Sequence, residues 1–297
     1  MCLAARKGVV INMKTKISKS RKLCDFSLRF LTYLSAALIF VILAGIIGYI
    51  MYRGIPGITW DFLSSKPSLI NETIGILPNI LNTLYIIIIT VAISLPIGVG
   101  AAIYLNEYAK NKKAVEIIEL AAETLSGIPS IIYGLVGMLI FVNTLSFGTS
   151  IIAGACTLAV MTLPTALRTT QESLKTVSPG LREGALAVGA GKWYMIRTVV
   201  LPSAVDGIVT GCILAIGRIT GESAALLFTA GMANEVLAPI QAIQPGNAGS
   251  TLTVAMYMYA KERGEFETAF SIAAILLVIT LVINIGARLA AKRLKKV

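Results

Sequence analysis

The sequence contains no histidine, and only 14% of its 297 residues are Asp, Glu, Lys or Arg. Without histidine, His-based catalytic triads and His-ligated metal sites are excluded. Soluble domains carry about 25% charged residues, so the chain lacks the polar surface that a soluble protein of this size needs. The four cysteines have no metal-site spacing and are too few for a disulfide scaffold. With 56% hydrophobic residues and a mean hydropathy of +0.81, the composition predicts an all-α polytopic membrane protein.

Apolar runs predict six membrane spans, since a spanning helix needs about 20 mostly apolar residues. The first span is the uncharged run 31–52. A cleaved signal peptide is the alternative, but the basic region before the run is too long and no A-x-A site follows it. The run 76–105 is long enough that it must tilt or kink at Pro96. The remaining predicted spans are two helices within 124–167 joined by a turn at 143–148, then 208–228 and 268–287.

The distribution of positive charge predicts the topology. The formal net charge is +11, and half of the 26 Lys and Arg residues lie before residue 31 or from residue 288 onward. Basic clusters beside apolar spans are typical of anchors on anionic lipid, which favours the bilayer over nucleic acid as partner. The predicted inside segments hold 21 Lys and Arg against 4 outside, which places both termini in the cytoplasm.

These features divide the chain into four predicted parts. Residues 1–30 form a basic cytoplasmic tail, and residues 31–74 contain the first transmembrane helix and an outer loop. Residues 75–288 form a membrane domain in which the inside segment 168–203 is too long to be a simple connection and contains an inner loop at 178–203. Residues 289–297 form a second basic tail.

The long inner loop has the turn chemistry of two short helices. Ser178 and Pro179 are typical of a helix start, and Gly189 is typical of a helix end with positive φ. Leu181, Ala185 and Val188 are predicted to share one face of the first helix. A second helix is predicted from Lys192 to Val200, with Trp193, Ile196 and Val200 on one face and with Leu201 and Pro202 ending it.

The run from Glu183 to Gly189, followed after nine residues by Val199, Val200, Leu201 and Pro202, resembles the EAA loop of bacterial ABC-importer permeases. That pattern is E-A-A-x3-G-x9-I-x-L-P, and the departures are Gly184 for Ala and Val199 for Ile. The resemblance implies a type I ABC importer permease fold of six transmembrane helices. It also implies that the loop couples to an ATP-binding subunit through Glu183, Ala185, Gly189, Leu201 and Pro202. The alternative is a hairpin that only joins two spans, with Glu183 near a helix N-terminus.

A second segment, from Gly217 to Ala230, is similar to the R-x-x-G-E-T-A-P-L-L-F-T-A stretch of permeases of the phosphate-specific transport system, PstA type. Here Ser223 replaces Thr and Ala225 replaces Pro. This resemblance implies translocation of inorganic phosphate across the cell membrane. It also implies a second permease subunit of PstC type, two ATP-binding subunits of PstB type and an extracytoplasmic phosphate-binding protein of PstS type. ATP hydrolysis would belong to the partner, because this chain has no G-x4-G-K-[ST] loop; it is expected to be no enzyme and to carry no cofactor or metal.

Arg218 and Glu222 are the charge pair deep in the predicted fifth span. Each costs about 2.5–3.5 kcal/mol at mid-bilayer, so a functional role is the default hypothesis. On an unbroken helix they share one face, and an i,i+4 salt bridge is one interpretation. The other is a substrate path in which Arg218 attracts phosphate. Glu222 then accepts a hydrogen bond from the proton that phosphate keeps near neutral pH and sulfate does not.

Small residues share the predicted face of this pair, which indicates either a close helix contact or a narrow polar path. They are Gly207, Gly211, Ala215, Gly221, Ala225 and Thr229.

Other functions stay open at this point. A permease for sulfate, molybdate or another oxyanion is the nearest alternative. A secondary transporter is a further one, although broken-helix pairs in matching halves are not evident. A membrane scaffold would have no reason to bury Arg218 and Glu222.

Overall fold

The computed structural model describes the backbone of residues 19–67 and 74–294, and the side chains of residues 25–67 and 74–289. The predicted basic tails therefore lie largely outside the described residues. Within the described residues all regular structure is helical. In chain order the helices are α1 (Lys19–Gly54), α2 (Trp60–Ser64), α3 (Leu77–Ile103), α4 (Lys112–Ser126), α5 (Ser130–Gly137), α6 (Ile151–Lys175), α7 (Pro179–Ala187), α8 (Lys192–Met195), α9 (Leu201–Thr220), α10 (Ala224–Thr229), α11 (Pro239–Ile243), α12 (Leu252–Tyr257) and α13 (Phe266–Leu294).

Several helices carry a wider π turn or a tighter 3-10 turn at one end. A 3-10 turn, Ile55–Gly57, follows α1. The π turns are Tyr104–Tyr108 after α3, Met138–Thr144 after α5, Ile196–Val200 between α8 and α9, and Met258–Glu262 after α12.

The chain separates into two units, residues 1–49 and 50–297. The described part of the first unit is one apolar helix whose side chains are exposed from residue 25 to residue 49. Such an apolar, outward-facing helix is typical of a segment surrounded by lipid or by another membrane chain. The predicted first span, 31–52, lies within α1.

The six predicted spans correspond to five long apolar helices and one bent pair of helices. The five are Asp25–Gly57, Leu77–Tyr108, Ile151–Lys175, Lys192–Thr220 and Phe266–Leu289. The pair α4 and α5 bends by 100° at the break between Ser126 and Ser130. The third span was predicted to start at residue 124, and this start is wrong, because the segment begins at Lys112 and is broken before α5, where the backbone of Pro129 is extended with φ −57° and ψ 139°. The predicted turn at 143–148 is present, with positive φ at Ser146 and Gly148.

The fifth span runs from Lys192 to Thr220, and both of its predicted ends are corrected. Pro202 was predicted to end a short helix, but the helix continues through it. The π turn Ile196–Val200 comes directly before this proline, which has no N–H to donate, and π turns are a usual way to absorb such an interruption. The span was predicted to reach Phe228, yet it ends at Thr220 with Gly221 as its cap. Gly217 and Gly221 weaken this last turn, because glycine is the poorest helix former after proline.

In the second unit, α3, α6 and α9 pack together, and their buried apolar side chains form the centre of the fold. The largest cluster includes Ile86, Leu158, Met161 and Ile219. Buried threonines in this region donate hydrogen bonds to backbone carbonyls of their own helix. The Thr162 hydroxyl, for example, donates to the carbonyl of Leu158 at 2.8 Å. This arrangement keeps polar side chains satisfied inside an apolar interior.

Glycines allow α9 to approach α6 closely. A Cβ at Gly207 would collide with Ser173, and a Cβ at Gly211 would collide with Thr169. Of the two interpretations of the small-residue face, these two positions therefore support the close helix contact.

Candidate functional site

The inner loop contains the two short helices that the sequence predicts. Helix α7 starts at Pro179, directly after Ser178, and ends in a tight turn. The N–H of Gly189 donates to the carbonyl of Leu186 at 3.0 Å, and the N–H of Ala190 donates to the carbonyl of Ala185 at 3.1 Å. This pair of bonds is a Schellman motif, and it requires the positive φ of +84° found at Gly189. The predicted role of Gly189 in the turn is confirmed.

The inner side of this loop is held by an apolar cluster beneath it. Met195, Ile196 and Val200 are buried with Ile103 of α3 and Leu174 of α6. Ala185 and Leu201 are partly buried and pack against the same cluster. Because these contacts join the loop to two spans, α3 and α6, the loop has a fixed position at the end of the helix bundle.

The outer side of the loop is apolar and exposed. Val188 is 85% exposed and Tyr194 is 64% exposed, and Leu186 and Trp193 are exposed as well. Two predicted faces are therefore wrong: Leu181 and Val188 are exposed while Ala185 packs inward, and Trp193 is exposed while Ile196 and Val200 are buried.

Glu183 lies on the exposed side of α7 and makes no ion pair within the described part of the chain. Pro202 is also exposed, at the start of α9. A carboxylate beside exposed apolar side chains has the chemistry of a protein-binding surface.

Arg218 and Glu222 are not an i,i+4 pair on one helix. Arg218 lies in the last turn of α9, whereas Glu222 lies in the break between α9 and α10. Among the described residues Arg218 makes no ion pair, although it is close enough to the hydroxyl of Tyr133 to act on it electrostatically. The interpretation of a self-satisfied salt bridge is wrong, because the helix ends between the two charges.

The break is held by hydrogen bonds to Glu222. Its carboxylate accepts from the N–H of Ala225 at 3.2 Å, and its carbonyl accepts from the hydroxyl of Thr253 at 2.8 Å. Both Arg218 and Glu222 are half-buried. The structure thus places two charges of opposite sign at the end of a span without joining them.

Sequence reasoning missed an ion pair under the inner loop. Arg182 of α7 contacts Glu107, in the π turn after α3, at 3.2 Å. The two residues are 75 positions apart. Neither belongs to a local pattern, so no signal in the sequence would have identified them.

Comparisons with known proteins agree on one class. The model of a family described as the binding-protein-dependent transport system inner membrane component matches residues 94–296. The probable ABC transporter permease protein YqgI of Bacillus subtilis (strain 168) is 36% identical over 285 residues, which cover 91% of this chain and 95% of the relative. The phosphate transport system permease protein PstA of Haemophilus influenzae (strain ATCC 51907 / DSM 11121 / KW20 / Rd) is 32% identical over 266 residues, which cover 87% of this chain and 90% of the relative.

Solved structures are similar in fold. A bacterial ABC transporter involved in the import of the acidic polysaccharide alginate has a chain that aligns with a TM-score of 0.66 and 17% identity, covering 92% of this chain and 98% of that one. A chain of the MetNI methionine ABC transporter in an inward-facing conformation aligns with a TM-score of 0.57 and 18% identity, covering 77% and 99%. At such identities the likeness concerns the fold alone.

Proposed function

Because the chain belongs to the family of binding-protein-dependent transport system inner membrane components, we propose that it is the permease subunit of an ATP-driven importer that carries inorganic phosphate into the cytoplasm. The fold is that of type I ABC importer permeases, and the chain is a multi-pass protein of the cell membrane. The observation that supports phosphate as the substrate is the 32% identity to a phosphate permease over 90% of that protein's length. As a permease the chain conducts its substrate and is no enzyme.

The inner loop from 178 to 203 is the proposed docking site for the ATP-binding subunit. Its exposed apolar side chains and the unpaired charge of Glu183 give it the composition of an interface. Gly189 sets the turn between the two loop helices, while Ala185 and Leu201 pack the loop onto the spans. Pro202 lies at the start of α9, within the fifth span, which begins in the loop at Lys192. We call the segment from Pro179 to Val200 the coupling loop.

The complete importer would contain several further chains. The proposed partners are a second permease of PstC type, two ATP-binding subunits of PstB type and an extracytoplasmic phosphate-binding protein of PstS type. The relatives named as phosphate transport system permeases support this assembly.

Arg218 and Glu222 are the proposed translocation residues. Both charges are half-buried at the end of the fifth span, and neither forms an ion pair within the described residues. An ionisable residue placed in this way in a membrane protein is a candidate functional site. The planar guanidinium of Arg218 is suited to two oxygens of a phosphate. Glu222 uses one carboxylate oxygen for the N–H of Ala225, which leaves the other for the proton of a partly protonated phosphate. Sulfate carries no such proton, so it would face the negative charge of the Glu222 carboxylate without forming a hydrogen bond to it.

The test is substrate-dependent ATP hydrolysis and uptake by the complete assembly in proteoliposomes, with sulfate and molybdate as controls. We expect phosphate with its binding protein to stimulate both activities and the other oxyanions to leave them at the basal rate. Stimulation by sulfate or molybdate and none by phosphate would assign the chain to a different oxyanion importer.

A further inference from the structure

Among the ion pairs of the described residues that join two helices, the pair between Arg182 and Glu107 is the most buried. The Glu107 side chain is 7% exposed and that of Arg182 is 20% exposed. By comparison, Arg168 of α6 and Glu123 of α4 also form an ion pair between helices, at 3.4 Å, but their side chains are 60% and 66% exposed. An exposed pair of this kind contributes little, whereas a buried charge depends strongly on its partner.

Arg182 has two further partners that fix the direction of its side chain. Its guanidinium donates to the carbonyl of Leu174, at the end of α6, at 2.7 Å, and to the carbonyl of Val177 at 2.7 Å. The Leu174 carbonyl belongs to the last turn of α6 and also accepts from the N–H of Val177 at 3.3 Å, while Val177 itself follows the helix. One side chain of α7 therefore binds the ends of two spans, α3 through Glu107 and α6 through its backbone. Only the forked guanidinium of arginine offers donors in these directions at once.

The second helix of the coupling loop is attached to the same place. The ammonium group of Lys192 lies 4.9 Å from the ring centroid of Tyr108, a cation–π contact. Glu107 and Tyr108 are neighbours in the π turn that ends α3. This one turn thus contacts both helices of the coupling loop.

The opposite end of α3 contacts the loop that precedes α12. The amide nitrogen of Asn79 donates to the Asn234 side chain at 2.9 Å and to the carbonyl of Ser250 at 3.1 Å. The hydroxyl of Thr83 accepts from the N–H of Leu252 at 2.9 Å. Helix α3 is therefore bonded to the coupling loop at one end and to Asn234, Ser250 and Leu252 at the other.

From these contacts we infer that Arg182 and Glu107 are positioning residues that fix the coupling loop to the inner end of α3, so that a displacement of the loop moves this span. The inference rests on the proposed function, because it takes the loop to be the docking site of an ATP-binding partner. A buried ion pair seldom increases stability over apolar residues of the same size. The ion pair does hold α7 and the end of α3 in one relative position, and a displacement of the loop can be transmitted to α3 only if that position is kept.

The first test compares Glu107→Gln with the matched control Glu123→Gln in the complete assembly. Both changes remove one carboxylate charge from an ion pair between helices, and both preserve the shape of the side chain. We expect Glu107→Gln to assemble normally and to lower the ratio of stimulated to basal ATP hydrolysis by about 5-fold or more, the range of typical allosteric couplings. Glu123→Gln is expected to keep the wild-type ratio. Equal ratios in the two variants and the wild type would overturn the inference.

The second test measures position directly and does not depend on the substrate. Spin labels are attached to cysteines that replace the exposed residues Ile97 and Val188, after the native cysteines are changed to serine. We expect a narrow distance distribution in the wild type and in Glu123→Gln, and a broad one in Glu107→Gln. The same width in all three contradicts the inference. If phosphate does not stimulate the assembly, the proposed substrate is wrong. The widths of the spin-label distance distributions still test the role of the ion pair in that case.

Discussion

Replacing Gly189 by valine should separate the structure of the coupling loop from its function. The φ of +84° at Gly189 lies in the left-handed region, where a residue with a Cβ costs about 1–2 kcal/mol. Valine is β-branched and has few side-chain rotamers to relieve this strain. No atom lies within 4 Å of a Cβ built at this position, so the cost is conformational and involves no collision. A cost of about 1–2 kcal/mol changes the population of the native turn by a factor of about 5–30.

Gly191, two residues later, provides the matched control. A Cβ there also meets no atom within 4 Å, but the backbone is extended, with φ −67° and ψ 154°. Valine adopts such a backbone readily. The two variants therefore add the same side chain to the same exposed turn and differ in the sign of φ. Gly191 is also the N-cap residue of α8, where valine is a poorer cap than glycine.

The assay measures phosphate uptake and stimulated ATP hydrolysis in proteoliposomes, together with the yield of the assembled complex. We expect Gly189→Val to reduce both activities by about 5-fold or more, following the shift in the population of the turn. Gly191→Val should keep wild-type activity, and both variants should keep the spans folded because Gly189 lies outside them. Equal uptake by the two variants, at equal expression, would refute the role assigned to the turn.

Three further predictions concern the spans and the outer surface. Gly211→Ala should lower the thermal stability of the detergent-solubilised protein by about 1–3 kcal/mol, since its Cβ collides with Thr169; Gly100→Ala, also helical but with open space, should not, and equal melting curves would contradict the close contact. Arg218→Ala and Glu222→Ala should each abolish uptake while the complex still assembles, and the charge swap Arg218→Glu with Glu222→Arg should not restore it because the two charges form no ion pair. Recovery of uptake in the swap would show that they act as a pair after all. A triple variant with alanine at Glu262, Glu265 and Glu267, around the start of α13, should leave the unfolding midpoint and the yield of the complex unchanged, as expected for surface charges. A large loss of complex would show that these residues have a binding role.

The sequence by itself determined the class of the protein, the approximate position of its spans and the turn at Gly189. Each of these depends on neighbouring residues: hydropathy adds up along one helix, and a Schellman turn is closed within about six residues. The spacing of the segment from Glu183 to Pro202 was sufficient for the family resemblance for the same reason. The positions of lysine and arginine along the chain likewise predicted a topology.

Only the tertiary structure decided how the charges are used. The hydropathy of 208–228 is uninterrupted enough to suggest one helix, yet the chain breaks after Thr220, where the hydroxyl of Thr253 binds the carbonyl of Glu222. Trp193 is exposed although Ile196 and Val200, at helical spacing from it, are buried, because spacing along one helix does not tell which side the neighbouring spans cover. The contact between Arg182 and Glu107 joins residues 75 positions apart. Ion pairs and helix contacts of this kind depend on which distant side chains the fold brings within a few ångströms, and a local pattern carries no information about that distance.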